Sequence, residues 1–320
     1  MKKISIWACV LYLMYGSGIS VADPIKINIA TATTGGTFYL AGIALSQLWN
    51  EKLETQTSAI TSAGSPENVS LLINKEATVA AIQSDILQYA YDGIEIYKGK
   101  PLKTLRILFP FSIQNHNLIV RKGSGIDTLK DWQGKSVVLG RAGSGTFVTC
   151  EKILKAVNIK INQLNASSIG QAEAVDSIRN GLVDATVVLG RAPVPAISDA
   201  MAAPGTNVIL YSMTQEEIEK ITQANVWMIE DVIPARTYPN QEQEIRSTAH
   251  IAYYCVIEDF PEDLAYRLVK TAYENKERLF EVFRGYNNPA FINPAFAIKD
   301  MPVPLHIGSL KYLKEVGLIY

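Results

Sequence analysis

The chain of 320 residues is 48% hydrophobic and 19% charged, a composition that can bury large cores and that excludes a disordered protein. Its length is typical of two domains or of one large bilobal unit. The 30 Lys and Arg residues against 31 Asp and Glu residues give a net charge of −1. We therefore expect no nucleic-acid partner, because such binding draws on a basic excess.

Residues 1–22 have the order of a secretory signal peptide. Two lysines precede an uncharged apolar stretch at 4–14, and small residues follow up to Ala22. This order is typical of an export signal, whereas a membrane anchor needs an apolar run of about 20 residues. We predict cleavage before Asp23 and a periplasmic location for the mature protein.

The mature chain keeps two cysteines, Cys150 and Cys255. They could form one disulfide in an oxidising compartment or remain two buried thiols. A chain of this size does not depend on a disulfide for its stability. Loss of two lysines with the signal leaves 28 basic and 31 acidic residues, a net charge of −3.

The first part of the mature chain alternates predicted strands and helices. Strands are expected at 25–30, around 59–60 and at 78–82, and helices at 41–54, from 66 and from 86. The first of these helices carries Ala41, Ala44, Leu45 and Leu48 on one apolar stripe. In the turn before the second helix, Ser65 is suited to the N-cap and Pro66 to the first helical position. Strand, loop and helix in this rhythm predict a parallel sheet.

The middle of the chain restarts the same rhythm. A strand at 136–139 is followed by a Gly-rich loop at 140–145 and by a helix that opens at Thr146. The tripeptide Gly-Thr-Phe at 36–38 recurs at 145–147, each time where a loop becomes a helix. Recurrence at equivalent points predicts two similar α/β lobes.

Two apolar β-type runs, at 118–120 and 251–257, are suited to crossing between these lobes. The segment 261–283 is predicted to be helical, the Pro-rich stretch to 304 extended, and 308–316 a short helix. The expected domains are a signal peptide at 1–22, lobe 1 at 23–114 plus 253–320, and lobe 2 at 115–252.

Motifs for catalysis are not found. The loop at 140–146 has the glycine spacing of a phosphate-binding P-loop but not its lysine, and Ser144 does not stand in a nucleophile-elbow pattern. His116, His250 and His306 are far apart in the sequence and match no metal-ligand motif. We therefore expect no metal site, no cofactor and no enzymatic activity.

Small and hydroxyl-bearing loops recur at the predicted helix N-termini. They are 33–37, 64–65, 83–85 and 144–146. Each exposes backbone N–H groups at the positive end of a helix dipole, which favours anions. One such loop is more often an ordinary cap, but four at the same edge of two α/β lobes predict a ligand cleft.

At these loops the sequence resembles the TAXI family of solute receptors, the binding proteins of tripartite ATP-independent periplasmic (TRAP) transporters. The resemblance covers essentially the whole mature chain through TTGGTFY at 33–39, SAGSPEN at 62–68, AIQSD at 81–85, LKDWQGK at 129–135, GSGT at 143–146, DA at 184–185, IPARTYP at 233–239 and PLHIGS at 304–309. It implies a type II periplasmic-binding-protein fold in which two lobes, joined by crossing strands, close over a small organic anion such as glutamate.

The loops and the resemblance together give the expected ligand-binding residues. They are Thr33, Gly36, Thr37, Phe38, Tyr39, Gly64, Ser65, Asn68, Gln83, Ser84, Asp85, Ser144, Gly145, Thr146, Gly190, Arg191 and Pro193. Arg191 stands where such proteins commonly have a small residue, and its guanidinium either holds a ligand carboxylate or points to solvent.

The expected function is that of a monomeric receptor that delivers its ligand to a TRAP permease. The same cleft would also suit a receptor that signals to a membrane sensor protein. An exported enzyme would need a nucleophile or an acid/base pair that the sequence does not offer.

Overall fold

The computed structural model describes residues 23–320, so the predicted signal peptide lies outside the described residues. Within that range ten strands form one sheet. The strands are β1 (Ile25–Ala30), β2 (Thr55–Ile60), β3 (Val79–Gln83), β4 (Leu105–Arg121), β5 (Ser136–Val138), β6 (Asn165–Ser167), β7 (Ala185–Gly190), β8 (Val208–Leu210), β9 (Ile229–Ile233) and β10 (Ile245–Ile257).

Helices cover both faces of the sheet. They are α1 (Thr37–Lys52), α2 (Ser65–Ile73), α3 (Ser84–Asp92), α4 (Gly145–Ala156), α5 (Gln171–Arg179), α6 (Pro195–Ala202), α7 (Gln215–Ala224), α8 (Glu262–Glu274), α9 (Lys276–Val282), α10 (Pro289–Ile292), α11 (Pro294–Ile298) and α12 (Ile307–Glu315). Short 3-10 turns lie at Glu95–Tyr97, Leu129–Trp132, Ile161–Gln163 and Arg284–Tyr286.

The first half of the sheet has the strand order β2-β1-β3-β10-β4, in which β1 pairs in parallel with β2 and β3. Hydrophobic cores lie on both of its faces. The predicted apolar stripe of α1 is confirmed, because Ala41, Ala44, Leu45 and Leu48 are all buried in one of these cores. Trp49 extends the stripe and donates its indole N–H to the Leu268 carbonyl of α8 at 3.1 Å.

The second half of the sheet repeats this plan with β7, β5 and β6, of which β5 pairs in parallel with both neighbours. Two further cores lie on its faces, and Trp132, Val137 and Ile153 are buried in one of them. The predicted rhythm of strand, loop and helix is therefore confirmed in both halves, and the protein has the expected α/β fold.

Two long antiparallel strands, β4 with 17 residues and β10 with 13, run through both halves of the sheet. We call them the hinge strands. In the first half β10 pairs with β3, and in the second half β4 pairs with β7. The predicted crossing runs lie within these strands. The proposed lobe boundaries, at residues 114 and 252, also fall inside them and remain a prediction.

The C-terminal segment departs from the prediction in two places. The expected long helix is interrupted at Asn275, which separates α8 from α9. The expected extended Pro-rich stretch is wrong, because Pro289 and Pro294 open the short helices α10 and α11. Proline is well suited to the first turn of a helix, where its missing N–H has no partner to lose.

Cys150 and Cys255 are both free and buried, which decides between the two alternatives in favour of thiols. Burial raises the pKa of the Cys150 thiol to about 12 and that of Cys255 well above its usual range, so neither is a reactive thiolate. From Asp23 onward, no helix is both long and apolar enough to cross a bilayer.

Candidate functional site

A cavity lies between the two halves of the sheet, and we call it the inner cavity. Its cavity volume is about 60 Å³. A single water molecule needs roughly 10–15 Å³ of such volume. Its walls are Ala32, Thr33, Gly36, Thr37, Phe38, Ala63, Gly64, Ser65, Gln83, Gln114, Arg141, Ser144, Gly145, Thr146, Gly170, Gln171, Leu189 and His250. It is therefore large enough for a small molecule or for the head group of a longer one.

Four helix N-termini open onto the inner cavity, α1 and α2 from the first half of the sheet and α4 and α5 from the second. The N-caps of α1, α2 and α5 are Gly36, Gly64 and Gly170, which have no side chain to cap the helix. Backbone N–H groups of the first turn therefore stay available to a ligand. Together with four converging helix dipoles they favour a negative charge in the cavity.

Arg141 is the one charged side chain among the cavity-lining residues of the described chain, and no carboxylate lines the cavity. It lies in the Gly-rich loop between β5 and α4 and is exposed. No carboxylate within residues 23–320 forms an ion pair with it, although sixteen other ion pairs are found there. Its guanidinium is therefore free to pair with a ligand oxyanion.

The hinge strands contribute two polar side chains to the cavity, Gln114 of β4 and His250 of β10, which face each other in register. His250 Nδ1 lies 2.9 Å from Nε2 of His116, and His116 Nδ1 lies 2.8 Å from Thr248 Oγ1. Burial lowers the pKa of His250 to about 3 and that of His116 well below its usual range. Both rings are therefore neutral at physiological pH.

A second, more open space adjoins the inner cavity, and we call it the outer chamber. It offers about 470 Å³ by the same measure and shares Thr33, Ala63 and Arg141 with the inner cavity. Its other walls are Thr34, Thr61, Ser62 and Glu67. Arg141 thus lies where the two spaces meet, and a ligand anchored inside can extend into the outer chamber.

Ten of the seventeen residues predicted from the sequence line the inner cavity. They are Thr33, Gly36, Thr37, Phe38, Gly64, Ser65, Gln83, Ser144, Gly145 and Thr146. The other seven, Tyr39, Asn68, Ser84, Asp85, Gly190, Arg191 and Pro193, lie outside its walls. Tyr39 follows Phe38 in α1 and is partly exposed.

Asn68 braces the loops around the cavity from behind. It is fully buried, donates to the Thr31 and Ala81 carbonyls at 2.6 and 2.7 Å, and accepts from Ser62 Oγ. It thereby fixes the end of β1 against α2 and β3. Because its side-chain amide already makes these hydrogen bonds, Asn68 has a structural role.

Ser84 and Asp85 lie beneath the cavity at the start of α3. Asp85 Oδ1 accepts hydrogen bonds from Gln83 Nε2 and from the Ile86 N–H, both at 2.7 Å, while Oδ2 and Ser84 Oγ have no partner within residues 23–320. Burial raises the pKa of Asp85 to about 6, against these hydrogen bonds, which lower it.

Gly190 is the last residue of β7, and Arg191 follows it. A Cβ at Gly190 would lie 2.7 Å from Thr37 Oγ1, so this glycine allows α1 of the other half to approach. Arg191 Nη1 lies 3.6 Å from Asp231 Oδ2, which also accepts from Asn115 Nδ2 at 2.6 Å. Together with Pro193, Arg191 lines a different space from the inner cavity. The two alternatives for Arg191, a contact with a ligand carboxylate or a position in solvent, both stay predictions.

Contacts across the cleft hold the two halves together. Gln83 Nε2 of β3 donates to Thr149 Oγ1 of α4 at 3.0 Å, and Lys152 of α4 forms an ion pair of 2.9 Å with Glu95. A methyl group at Gly145 would overlap the Gln83 side-chain amide. The first turn of α4 therefore fits closely against Gln83 of the other half of the sheet.

Sequence reasoning missed Arg141, Gln114, Gln171 and His250 as wall residues. Arg141 stands inside the Gly-rich loop that the sequence singled out, and an arginine within such a loop was the available signal. Gln171 accepts a hydrogen bond from the Leu189 N–H at 2.6 Å. The local sequence around Gln171 does not predict this contact. His116 and His250 are far apart in the sequence, and the hinge strands bring them together in the structure.

A family model described as NMT1-like matches residues 29–317 of the chain. The protein belongs to the NMT1-like family. Among the residues that the structure describes, no cluster of His, Cys, Asp and Glu side chains could hold a metal ion in this family member.

Solved structures similar to this NMT1-like protein include PhnD1 from Prochlorococcus marinus (MIT 9301), solved in complex with methylphosphonate. Its TM-score is 0.56 at 10% identity, over 82% of this chain and 91% of PhnD1. A protein from Bordetella bronchiseptica RB50 has a TM-score of 0.52 at 14% identity, over 93% and 90% of the two chains. The periplasmic aliphatic sulphonate binding protein SsuA from Escherichia coli has a TM-score of 0.46 at 13% identity, over 92% and 94%. The fold is that of type II periplasmic binding proteins, as expected.

Proposed function

We propose that this NMT1-like protein is a periplasmic solute receptor that captures a small organic anion between its two lobes and delivers it to a TRAP permease. The observation that carries the proposal is the inner cavity, which combines four helix N-termini and Arg141 with no lining carboxylate. An anion placed there gains from the Arg141 charge and from the four helix dipoles on the cavity wall, which would repel a cation.

The resemblance to TAXI receptors favours glutamate or a related carboxylate as the ligand. The inner cavity suits one anionic head group, and the remainder of such a ligand extends past Arg141 into the outer chamber. The ammonium group of an amino acid would lie near Glu67, the carboxylate of the outer chamber. PhnD1, a neighbour in fold, was solved with methylphosphonate, which is also a small oxyanion.

A ligand panel matched in size and different in charge tests this proposal. The protein is mixed with L-glutamate, acetate, methanesulfonate and methylphosphonate, with neutral acetamide, and with cationic ethylamine, and thermal unfolding is followed. We expect at least one anion to raise Tm, because a ligand that binds only the folded state stabilises it. The neutral and cationic compounds are expected to have no effect. A cation that raises Tm while the anions do not would contradict the proposal.

Two arginine variants then locate the site. Arg141→Gln is expected to weaken binding of the tightest anion by about 1.5–3 kcal/mol, the range of a hydrogen bond to a charged group. Arg191→Gln makes the same chemical change outside the inner cavity, beside Asp231, and is expected to leave the affinity within about twofold. The reverse order, measured by calorimetry, would transfer the anion-binding role to Arg191.

A further inference from the structure

The inner cavity contains a neutral histidine whose hydrogen-bonding role depends on which ring nitrogen carries the proton. His250 is 2% exposed, and its Nδ1 is occupied by His116. Its Nε2 has no hydrogen-bond partner within residues 23–320. This nitrogen is also not fully buried. Because His250 lines the cavity, Nε2 is the nitrogen that a ligand can reach.

Which ring nitrogen of His250 carries the proton follows from the hydrogen bond of the Thr248 hydroxyl. Thr248 is fully buried, and within the described chain its Oγ1 has one hydrogen-bond partner, Nδ1 of His116 at 2.8 Å. A buried hydroxyl hydrogen needs an acceptor, so Thr248 donates and His116 Nδ1 accepts. The opposite direction would leave the hydroxyl hydrogen unpaired.

The direction of this hydrogen bond determines the tautomers of both rings. With Nδ1 of His116 accepting, its proton is on Nε2, which donates to Nδ1 of His250 at 2.9 Å. A neutral His250 that accepts at Nδ1 carries its own proton on Nε2. Burial lowers the pKa of both rings, which agrees with two neutral imidazoles.

We infer that Thr248 and His116 are positioning residues that fix His250 as a hydrogen-bond donor to the ligand, so that the inner cavity accepts an oxyanion or a carbonyl oxygen at this wall. The ligand role of His250 rests on the proposed function, whereas the tautomer does not. An amino or hydroxyl donor of the ligand is thereby directed away from His250, and the ammonium of an amino acid belongs in the outer chamber.

The tautomers can be measured without any ligand, because the chain has three histidines in all. In protein labelled with ¹⁵N-histidine, correlations between ring nitrogens and carbon-bound protons separate the Nδ1–H, Nε2–H and cationic forms. His306 is an internal reference, because its Nδ1 accepts from the Gly308 N–H at 3.2 Å and its proton must be on Nε2. Asparagine variants of His116 and His306 assign the signals.

We expect His116 and His250 of the wild type to be neutral with the proton on Nε2 from pH 5 to 8. Thr248→Ser, which keeps the hydroxyl, should preserve this spectrum, whereas Thr248→Val, of the same shape, should give both tautomers of His250. A proton on Nδ1 of His250, or a cationic ring, in the wild type would overturn the inference, as would a Thr248→Val spectrum identical to the wild type. If Thr248→Val does not fold, the wild-type and Thr248→Ser spectra still decide the tautomer.

Discussion

At the scale of single residues, the hydroxyl groups of the inner cavity differ in whether they already have a hydrogen-bond partner in the protein. Ser144 caps α4 by accepting from the Phe147 N–H at 3.2 Å, so its loss weakens the helix as well as any ligand contact. Thr146, two residues further on, lines the same cavity, and its hydroxyl has no hydrogen-bond partner in the part of the chain that the structure describes. Thr146 is therefore the cleaner probe of ligand contact.

Thr146→Val keeps the side-chain shape and removes the hydroxyl. It should weaken anion binding by about 0.5–1.5 kcal/mol, or by up to about 3 kcal/mol if the hydroxyl contacts the charged group. Tm of the unliganded protein should change little, whereas Ser144→Ala should lower it through the lost cap. Calorimetry and thermal unfolding of both variants check this, and an unchanged affinity of Thr146→Val would remove this hydroxyl from the site.

Asp85 gives the protein a predicted pH dependence. Its pKa is raised to about 6 by burial, so folding favours the protonated carboxyl. The contribution of Asp85 to the free energy of unfolding is complete below the pKa of the unfolded chain, about 3.9, and is lost as pH rises through 6. The stability of the wild type relative to Asp85→Asn should therefore fall by about 2 kcal/mol between pH 4 and pH 7. Urea unfolding of the two proteins across this range measures it, and a constant difference would contradict the raised pKa.

The sequence predicts a residue's place in the site when local chemistry and chain position coincide. Thr37, Ser65 and Ser144 follow strands and begin helices, so the topology of an α/β sheet places them at the ligand edge. His250 is different, because its role depends on a partner 134 residues away. That pairing is created by the register of β4 with β10, which no local pattern specifies.

At the scale of elements, the hinge strands connect the two halves of the sheet and contribute to the wall of the inner cavity. Gln114 and His250 project from them into the inner cavity, and the loops on either side bring the N-termini of two helices from each half. The first strand and helix of each half were predictable because hydrophobic periodicity is strong in parallel α/β units, whereas β6, β8, β9 and α7 were not predicted. The helices α10 and α11 were not, since a Pro-rich sequence suits both an extended segment and the first turns of short helices.

The fit of α4 against β3 should control closure. Gly145→Ala adds a methyl group where the Gln83 amide packs, so it should hold the lobes apart. Gly170→Ala adds the same group at another helix N-terminus of the cavity, where no atom lies within 4 Å of it. Small-angle scattering should show a smaller radius of gyration on anion addition for the wild type and for Gly170→Ala, but not for Gly145→Ala. Equal compaction of all three proteins would rule out this contact as the control point.

At the scale of the whole molecule, the proposed function requires two lobes that close over an anion and that both contribute to its binding. Arg141 and the N-termini of α4 and α5 come from one lobe, and the N-termini of α1 and α2 come from the other. A ligand that contacts both lobes stabilises the closed form over the open one. Recognition by a permease would then depend on the closed shape.

The proposed receptor function is best tested by native mass spectrometry of the protein released from the periplasm, followed by identification of the bound molecule. We predict that the wild type and Arg191→Gln carry a small organic anion and that Arg141→Gln does not, because Arg141 is the one charged group on the wall of the inner cavity in residues 23–320. A bound cation or neutral molecule in the wild type, or the same anion retained in full by Arg141→Gln, would contradict the account.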